Sequence, residues 1–258
     1  MAEPPEPQPP APLHLPYAHN ALRDALVAWA VVEVLVAGLV HLKWNIDLVG
    51  EVGGALVALL FMYAPIYMAQ RRAEDIEWYG FRLQPLGLGL VTAGVAIAVI
   101  VPLFAVGYMK FYDLACKSDL LSALPLKGMC ERYGGLSSMH WPKLDGELLQ
   151  FFPVQLIVVA LPEELFFRGY LLGLLEVRFP PKRRVLGGGI GLALLISSLA
   201  FALVHLPRDG GDPRALLTFF PGLLFGWMKS STKSLTASTI THASCNILVH
   251  MLDLAVRR

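Results

Sequence analysis

The sequence predicts an all-α fold, a polytopic membrane helical bundle of about seven transmembrane helices. Three observations carry that expectation. Of 258 residues, 55% are hydrophobic and only 16% charged, whereas soluble domains carry about 25% charged residues; mean hydropathy is +0.57. The apolar residues fall in runs long enough to cross a hydrocarbon core, which takes about 20 helical residues. Most of the connecting segments are short and polar, so the runs belong to one bundle rather than to separate domains.

Residues 1–20 read as a disordered, extended tail, rich in proline at Pro4, Pro5, Pro7, Pro9, Pro10, Pro12 and Pro16. This segment has neither a basic n-region nor an apolar h-region, and so does not read as a signal peptide. Residues 21–258 read as a single membrane domain. The first span is Ala25–Leu42, with Glu33 facing the bundle interior. The second is Val49–Ala69, closed by Gln70-Arg71-Arg72. The third, Leu86–Tyr108, is interrupted by Pro102. A loop from Met109 to Gly146 follows and holds Cys116 and Cys130. Those two can pair as a disulfide if the loop faces an oxidising compartment, and are otherwise free thiols.

The fourth span runs from Leu148 to Leu175 through Pro162-Glu163-Glu164-Leu165-Phe166-Phe167-Arg168. Pro162 removes a backbone donor and clashes with the carbonyl of Val158, so the helix is expected to bend or loosen there. The fifth span, Val185–Leu206, opens on Gly187-Gly188-Gly189-Ile190-Gly191, where small residues let helices approach closely in lipid. The sixth, Ala215–Met228, is short and contains Pro221, Gly222 and Gly226. The seventh is Leu235–Leu254. With the N-terminus inside, Arg71, Arg72 and Arg82, then Arg178 and Lys182-Arg183-Arg184, then Lys229 and Lys233 lie on the cytoplasmic side, as the positive-inside rule favours.

Charges inside the fourth span need a reason, because each costs roughly 2.5–3.5 kcal/mol at mid-membrane on insertion scales. Glu164 and Arg168 are four apart and can pair on one helix face. Glu163 is rotated about 100° away, with no local cationic partner. Two other spans add polar groups. Phe201 and His205 share a face of the fifth, and His242 and Asn246 share a face of the seventh. In a simple up-and-down bundle the two histidines lie at opposite depths, and they meet only if the sixth span is short or re-entrant.

A carboxylate and an imidazole in such a place can hold and deprotonate a water. His242 and Asn246 can supply donors to an oxyanion on an attacked carbonyl. This is the chemistry of peptide hydrolysis. One carboxylate with two imidazoles also matches a zinc site with an open position, with Glu163, His205 and His242 as ligands. No HExxH is present, and Cys116, Cys130 and Cys245 have no metal or redox spacing. A net charge of +1 without a basic cluster argues against nucleic acid as a partner. A proton-coupled carrier ranks last, since no inverted repeat is visible.

Glu163-Glu164-x-x-x-Arg168, Phe201-x-x-x-His205 and His242-x-x-x-Asn246 resemble the three motifs of the CAAX protease and bacteriocin-processing (CPBP, formerly Abi) family, over about residues 148 to 254. The resemblance implies an intramembrane endopeptidase acting on a membrane-associated protein or peptide near its C-terminus. It implies that Glu163 and His205 activate water, that His242 and Asn246 stabilise the oxyanion, and that Glu164 and Arg168 position the site, with Phe201 beside His205. The family has been described both as metalloproteases and as metal-independent glutamic proteases; the metal-free reading is favoured here. Eukaryotic relatives trim prenylated proteins, while bacterial relatives mature peptides or surface-protein tails, as the similar myxosortases do. The Ala/Leu/Pro-rich composition points to a bacterial inner membrane. The alternative is a non-catalytic scaffold or immunity partner whose polar cluster is structural.

Overall fold

The computed structural model describes residues 18–43, 47–117, 130 and 133–256. The expected proline-rich tail lies outside the described residues except for residues 18–20, which already belong to the first helix. Seven long helical segments build the described part: α1 (Ala18–Lys43), α2 (Asp47–Arg71), α3 (Leu86–Lys117), α4 (Gly146–Arg178), α5 (Leu192–Arg208), α6 (Phe219–Thr232) and α7 (Thr236–Val256). By length and composition four of them can cross a membrane, within α1, α2, α3 and α4, and α5 is a shorter apolar helix. The chain is an integral membrane protein of helical-bundle fold. Large apolar side chains cover its outer faces, such as Val31 and Val34 on α1 and Val91 and Leu103 on α3, as a lipid-facing surface requires.

Helix α4 is the centre of the bundle. It packs against α1, α2, α5, α6 and α7, while α3 lies outside against α7. The centrality follows from its sequence: every residue from Pro162 to Leu175 is buried, charged residues included. The loosening expected near Pro162 is present as two π-helical stretches, Val154–Ala160 and Leu165–Leu171, on either side of an α-turn at Leu161–Glu164. A proline leaves an upstream carbonyl without its usual donor, and i→i+5 bonding redistributes those bonds while turning the following side chains around the axis. The π-stretches therefore set the directions of the residues that flank Glu163 and Glu164.

The first helix starts at Ala18 rather than Ala25, and the sixth is shifted to Phe219–Thr232; two further boundaries differ in ways that change the architecture. Helix α3 continues nine residues past Tyr108. At 32 residues it is about 48 Å long, well over the roughly 30 Å hydrocarbon core. Its last turns leave the apolar region, stabilised by ring contact of Tyr108 with Tyr112 and an ion pair of Lys117 with Asp113 at 2.6 Å. Cys116 sits on this extension and is disulfide-bonded to Cys130.

The second difference is at the start of the fifth span. Residues 183–190 are not helical. They form an antiparallel hairpin, β1 (Arg183–Val185) with β2 (Gly188–Ile190), and α5 begins only at Leu192. The two-residue turn Leu186-Gly187 has φ of 47° and 84°, the left-handed pair that tight hairpins need. Glycine serves close approach here too, but of a strand to a helix: a Cβ on Gly188 would lie 2.3 Å from the Trp227 indole of α6. Trp227 Nε1 donates to the Val185 carbonyl at 2.8 Å, and the Gly189 N–H donates to Ser230 Oγ at 2.9 Å. The hairpin is thereby clamped to α6.

Candidate active site

The floor of the site is a buried ion pair. Arg168 Nη1 lies 2.8 Å from Glu164 Oε1, as the i, i+4 spacing predicts, and both side chains are essentially inaccessible. The guanidinium is held by aromatic faces, with its Cζ 3.8 Å from the Phe201 ring centre and 5.2 Å from that of Phe225. The same Glu164 oxygen takes a second partner, His242 Nδ1, at 2.9 Å. A carboxylate only accepts, so Nδ1 carries the proton and Nε2 is turned elsewhere. Phe225 stacks on the His242 ring at 4.9 Å between centroids. Glu164, Arg168 and the imidazole of His242 thus form one interlocked unit contributed by α4 and α7.

Glu163 lies above this floor. It has no local cationic partner, as expected, but gains one from another helix: Arg208 Nη1 at the end of α5 donates to Glu163 Oε1 at 3.2 Å. The partner is not local in sequence, which is why helix spacing alone misses it. Arg208 is half-exposed, whereas Glu163 is buried. The second carboxylate oxygen, Oε2, faces His242 Nε2 at 3.8 Å and makes no hydrogen bond among the described residues. His205, one turn before Arg208 on α5, lies within electrostatic reach of Glu163. Its Nδ1 donates to the Phe201 carbonyl at 2.7 Å, which leaves Nε2 as the nitrogen with a free lone pair. Both histidines therefore have the same tautomer fixed by a partner on Nδ1.

The difficulty of depth is resolved by α6. It has 14 residues, about 21 Å at 1.5 Å per residue, and this short return lets late α5 and early α7 come together. Both imidazoles pack on Phe201, with centroid distances of 4.6 Å for His205 and 5.6 Å for His242. The structure brings together Glu163, Glu164, Arg168, Phe201, His205 and His242. Asn246 stands one turn further along α7, and its Nδ2 donates to Gln155 Oε1 on the first π-stretch of α4 at 3.0 Å. That bond uses one of the two amide hydrogens.

Gln155 and Arg208 are the site residues that sequence reasoning does not find. Gln155 sits in the apolar half of the fourth span, where one polar residue among aliphatics is a signal that can be read. Arg208 follows Pro207 and reads as part of a turn.

The zinc alternative rests on Glu163, His205 and His242. Among the described residues no three His, Cys, Asp or Glu side chains are placed to share one ion. One Glu163 oxygen faces a guanidinium, and the other carboxylate is occupied by Arg168 and the His242 Nδ1–H.

Residues 145–248 match the family model described as type II CAAX prenyl endopeptidase Rce1-like. Through this segment, 104 of its 258 residues, the chain is similar to that family. The matched segment runs from the start of α4 to just past Asn246, so it contains all three motifs together with Gln155 and Arg208, and it leaves α1 to α3 unmatched. No curated protein and no solved structure matches the chain.

Proposed function

We propose that the protein is an intramembrane endopeptidase that hydrolyses a peptide bond of a membrane-associated protein or peptide near its C-terminus. The observation that carries this reading is a buried carboxylate oxygen, Glu163 Oε2, that makes no hydrogen bond among the described residues and lies 3.8 Å from the His242 imidazole, with His205 within electrostatic reach. A purely structural cluster has every buried polar atom satisfied where it can. Glu164 Oε2 and Arg168 Nη2 are also buried without a hydrogen bond among the described residues, but Glu163 Oε2 is the one that faces an imidazole nitrogen, His242 Nε2 at 3.8 Å.

In the reaction we infer, a water hydrogen-bonds to Glu163 Oε2 and to His205 Nε2. Its proton passes to the carboxylate as the oxygen attacks the scissile carbonyl. The oxyanion is met by Asn246 Nδ2, through its second hydrogen, and by His242 when Nε2 is protonated. Collapse of the tetrahedral intermediate breaks the C–N bond, and the proton held by Glu163 goes to the leaving amine. Arg208 holds the other carboxylate oxygen and fixes the orientation of the base. The scheme is written for a water activated by Glu163 and His205 without a metal.

The described family acts on prenylated CAAX tails. For this chain the Ala/Leu/Pro-rich composition favours bacterial peptide or surface-protein maturation, of the kind the myxosortase-like relatives perform. The test is processing of a membrane-anchored reporter with a CAAX-type tail, followed in the membrane fraction of cells. Glu163→Ala and His205→Ala should each leave the reporter unprocessed while the enzyme remains in the membrane and folded. Normal processing by Glu163→Ala would remove the enzymatic reading and leave the scaffold alternative.

A further inference from the structure

A cavity whose lining does not include Glu163, His205 or His242 lies where α7 begins. The cavity measures about 330 Å³ and is bounded by Leu156, Ile157 and Leu161 of α4, by Ile240 of α7 and by Phe81. This is within the range of small-ligand sites, roughly 300–1,000 Å³. Leu83 and Ile157, 72% and 58% exposed, open it towards the surrounding lipid. The walls are apolar except at one end, where Arg82 and Thr236 complete them.

Cations gather at that end. Arg82 Nε donates to the Lys233 carbonyl at 3.0 Å, which ties the guanidinium to the turn between α6 and α7. Lys229 is buried within electrostatic reach of Arg82, Lys233 and Glu176. One turn along α7 from Thr236, the Thr239 hydroxyl is buried on the cavity wall and has no hydrogen-bond partner among the described residues.

The disulfide-bearing loop meets the other end of α7, where the Gly134 N–H bonds the Val256 carbonyl. The length of α7, 21 residues or about 31 Å, separates the two ends by one bilayer core. The Arg82 and Thr236 end of the cavity therefore lies at the end of α7 opposite the disulfide, the side the positive-inside rule assigns to the cytoplasm. Anionic lipids are concentrated in that leaflet, and basic pockets between helices there select them.

We propose that this cavity binds an anionic phospholipid, one acyl chain filling the apolar walls, the phosphate against Arg82 and Lys233, and an ester oxygen accepting from Thr239. The binding is independent of peptide hydrolysis. It is tested on the full chain purified in detergent, by native mass spectrometry during titration with phosphatidylglycerol or phosphatidylcholine of matched chains.

Wild-type protein should retain phosphatidylglycerol preferentially. Arg82→Gln and Lys233→Gln, both at exposed positions, should each lower its affinity about fivefold and leave phosphatidylcholine unchanged. Leu156→Trp, which fills the cavity, should lower retention of both lipids with helix content preserved. Equal retention of the two lipids by the wild type would overturn the proposal, as would a preference that survives the Arg82→Gln/Lys233→Gln double variant. Displacement of the lipid by glycerol 1-phosphate at equal concentration would also overturn it, since that would show a phosphate site without a chain site.

Discussion

Replacing Arg168 by methionine tests whether the floor of the site is one interlocked unit. The substitution keeps an unbranched apolar stem but removes the guanidinium from a position 1% exposed. Glu164, 0% exposed, is then left with His242 Nδ1 as its partner. Removing one member of a buried pair costs about 3–5 kcal/mol, because the remaining charge is uncompensated. Loss of the cation stacked on Phe201 at 3.8 Å adds about 1–2 kcal/mol. Packing by the methionine side chain recovers part of this, so a net loss of about 4 kcal/mol is expected.

The double variant Arg168→Met/Glu164→Leu removes both charges. Apolar replacement of a whole buried pair is often neutral or better, so its stability should return to within about 1–2 kcal/mol of wild type. Processing should stay lost in both variants, since in the double variant His242 Nδ1 has no carboxylate to orient it. Denaturant unfolding in micelles, followed by helix content, gives the stabilities, and reporter cleavage gives the activity. A wild-type unfolding midpoint for Arg168→Met would refute the reasoning, as would a double variant no more stable than the single one.

Other expectations follow from the same structure. Cys116→Ser/Cys130→Ser opens a link between residues 14 apart, worth about 3 kcal/mol in the chain-entropy account, and should lower the melting temperature of the oxidised protein but not of protein kept in reductant. Gly188→Ala drives a methyl group into the rigid Trp227 indole and should cost about 1–3 kcal/mol, with a change in tryptophan fluorescence as Nε1 leaves the Val185 carbonyl. Gln155→Ala frees the Asn246 amide from its 3.0 Å bond; stability should fall by only about 1 kcal/mol while reporter cleavage drops severalfold, and unchanged cleavage would remove Asn246 from the site.

Much of this arrangement can be read from the sequence because lipid makes polar residues conspicuous. Glu163, Glu164 and Arg168 stand out against aliphatic neighbours, and the four-residue spacing of Glu164 and Arg168 already implies their contact. His205 and His242 are visible for the same reason, and the shortness of the sixth span signals how they meet. The interlocking of His242 with Glu164 is not visible, since it depends on how the π-stretches around Pro162 rotate α4. Arg208 is hidden because it lies in sequence with turn residues and reaches Glu163 only through the fold. The hairpin at 183–190 is masked by composition: glycines beside apolar residues continue a hydrophobic run, and only the clamp to Trp227 and Ser230 of α6 decides for strands. The nine-residue extension of α3 escapes hydropathy because those turns are amphipathic and leave the membrane.

The central claim is that Glu163 makes water reactive, and the rate of peptide cleavage by purified enzyme in proteoliposomes measures it most directly. With a lipidated fluorogenic peptide bearing a CAAX-type tail, Glu163→Gln should cleave about 10²–10⁴-fold more slowly than wild type, the share a general base supplies, while wild-type cleavage is unaffected by a chelator. Wild-type cleavage rates in the Glu163→Gln protein would contradict the account.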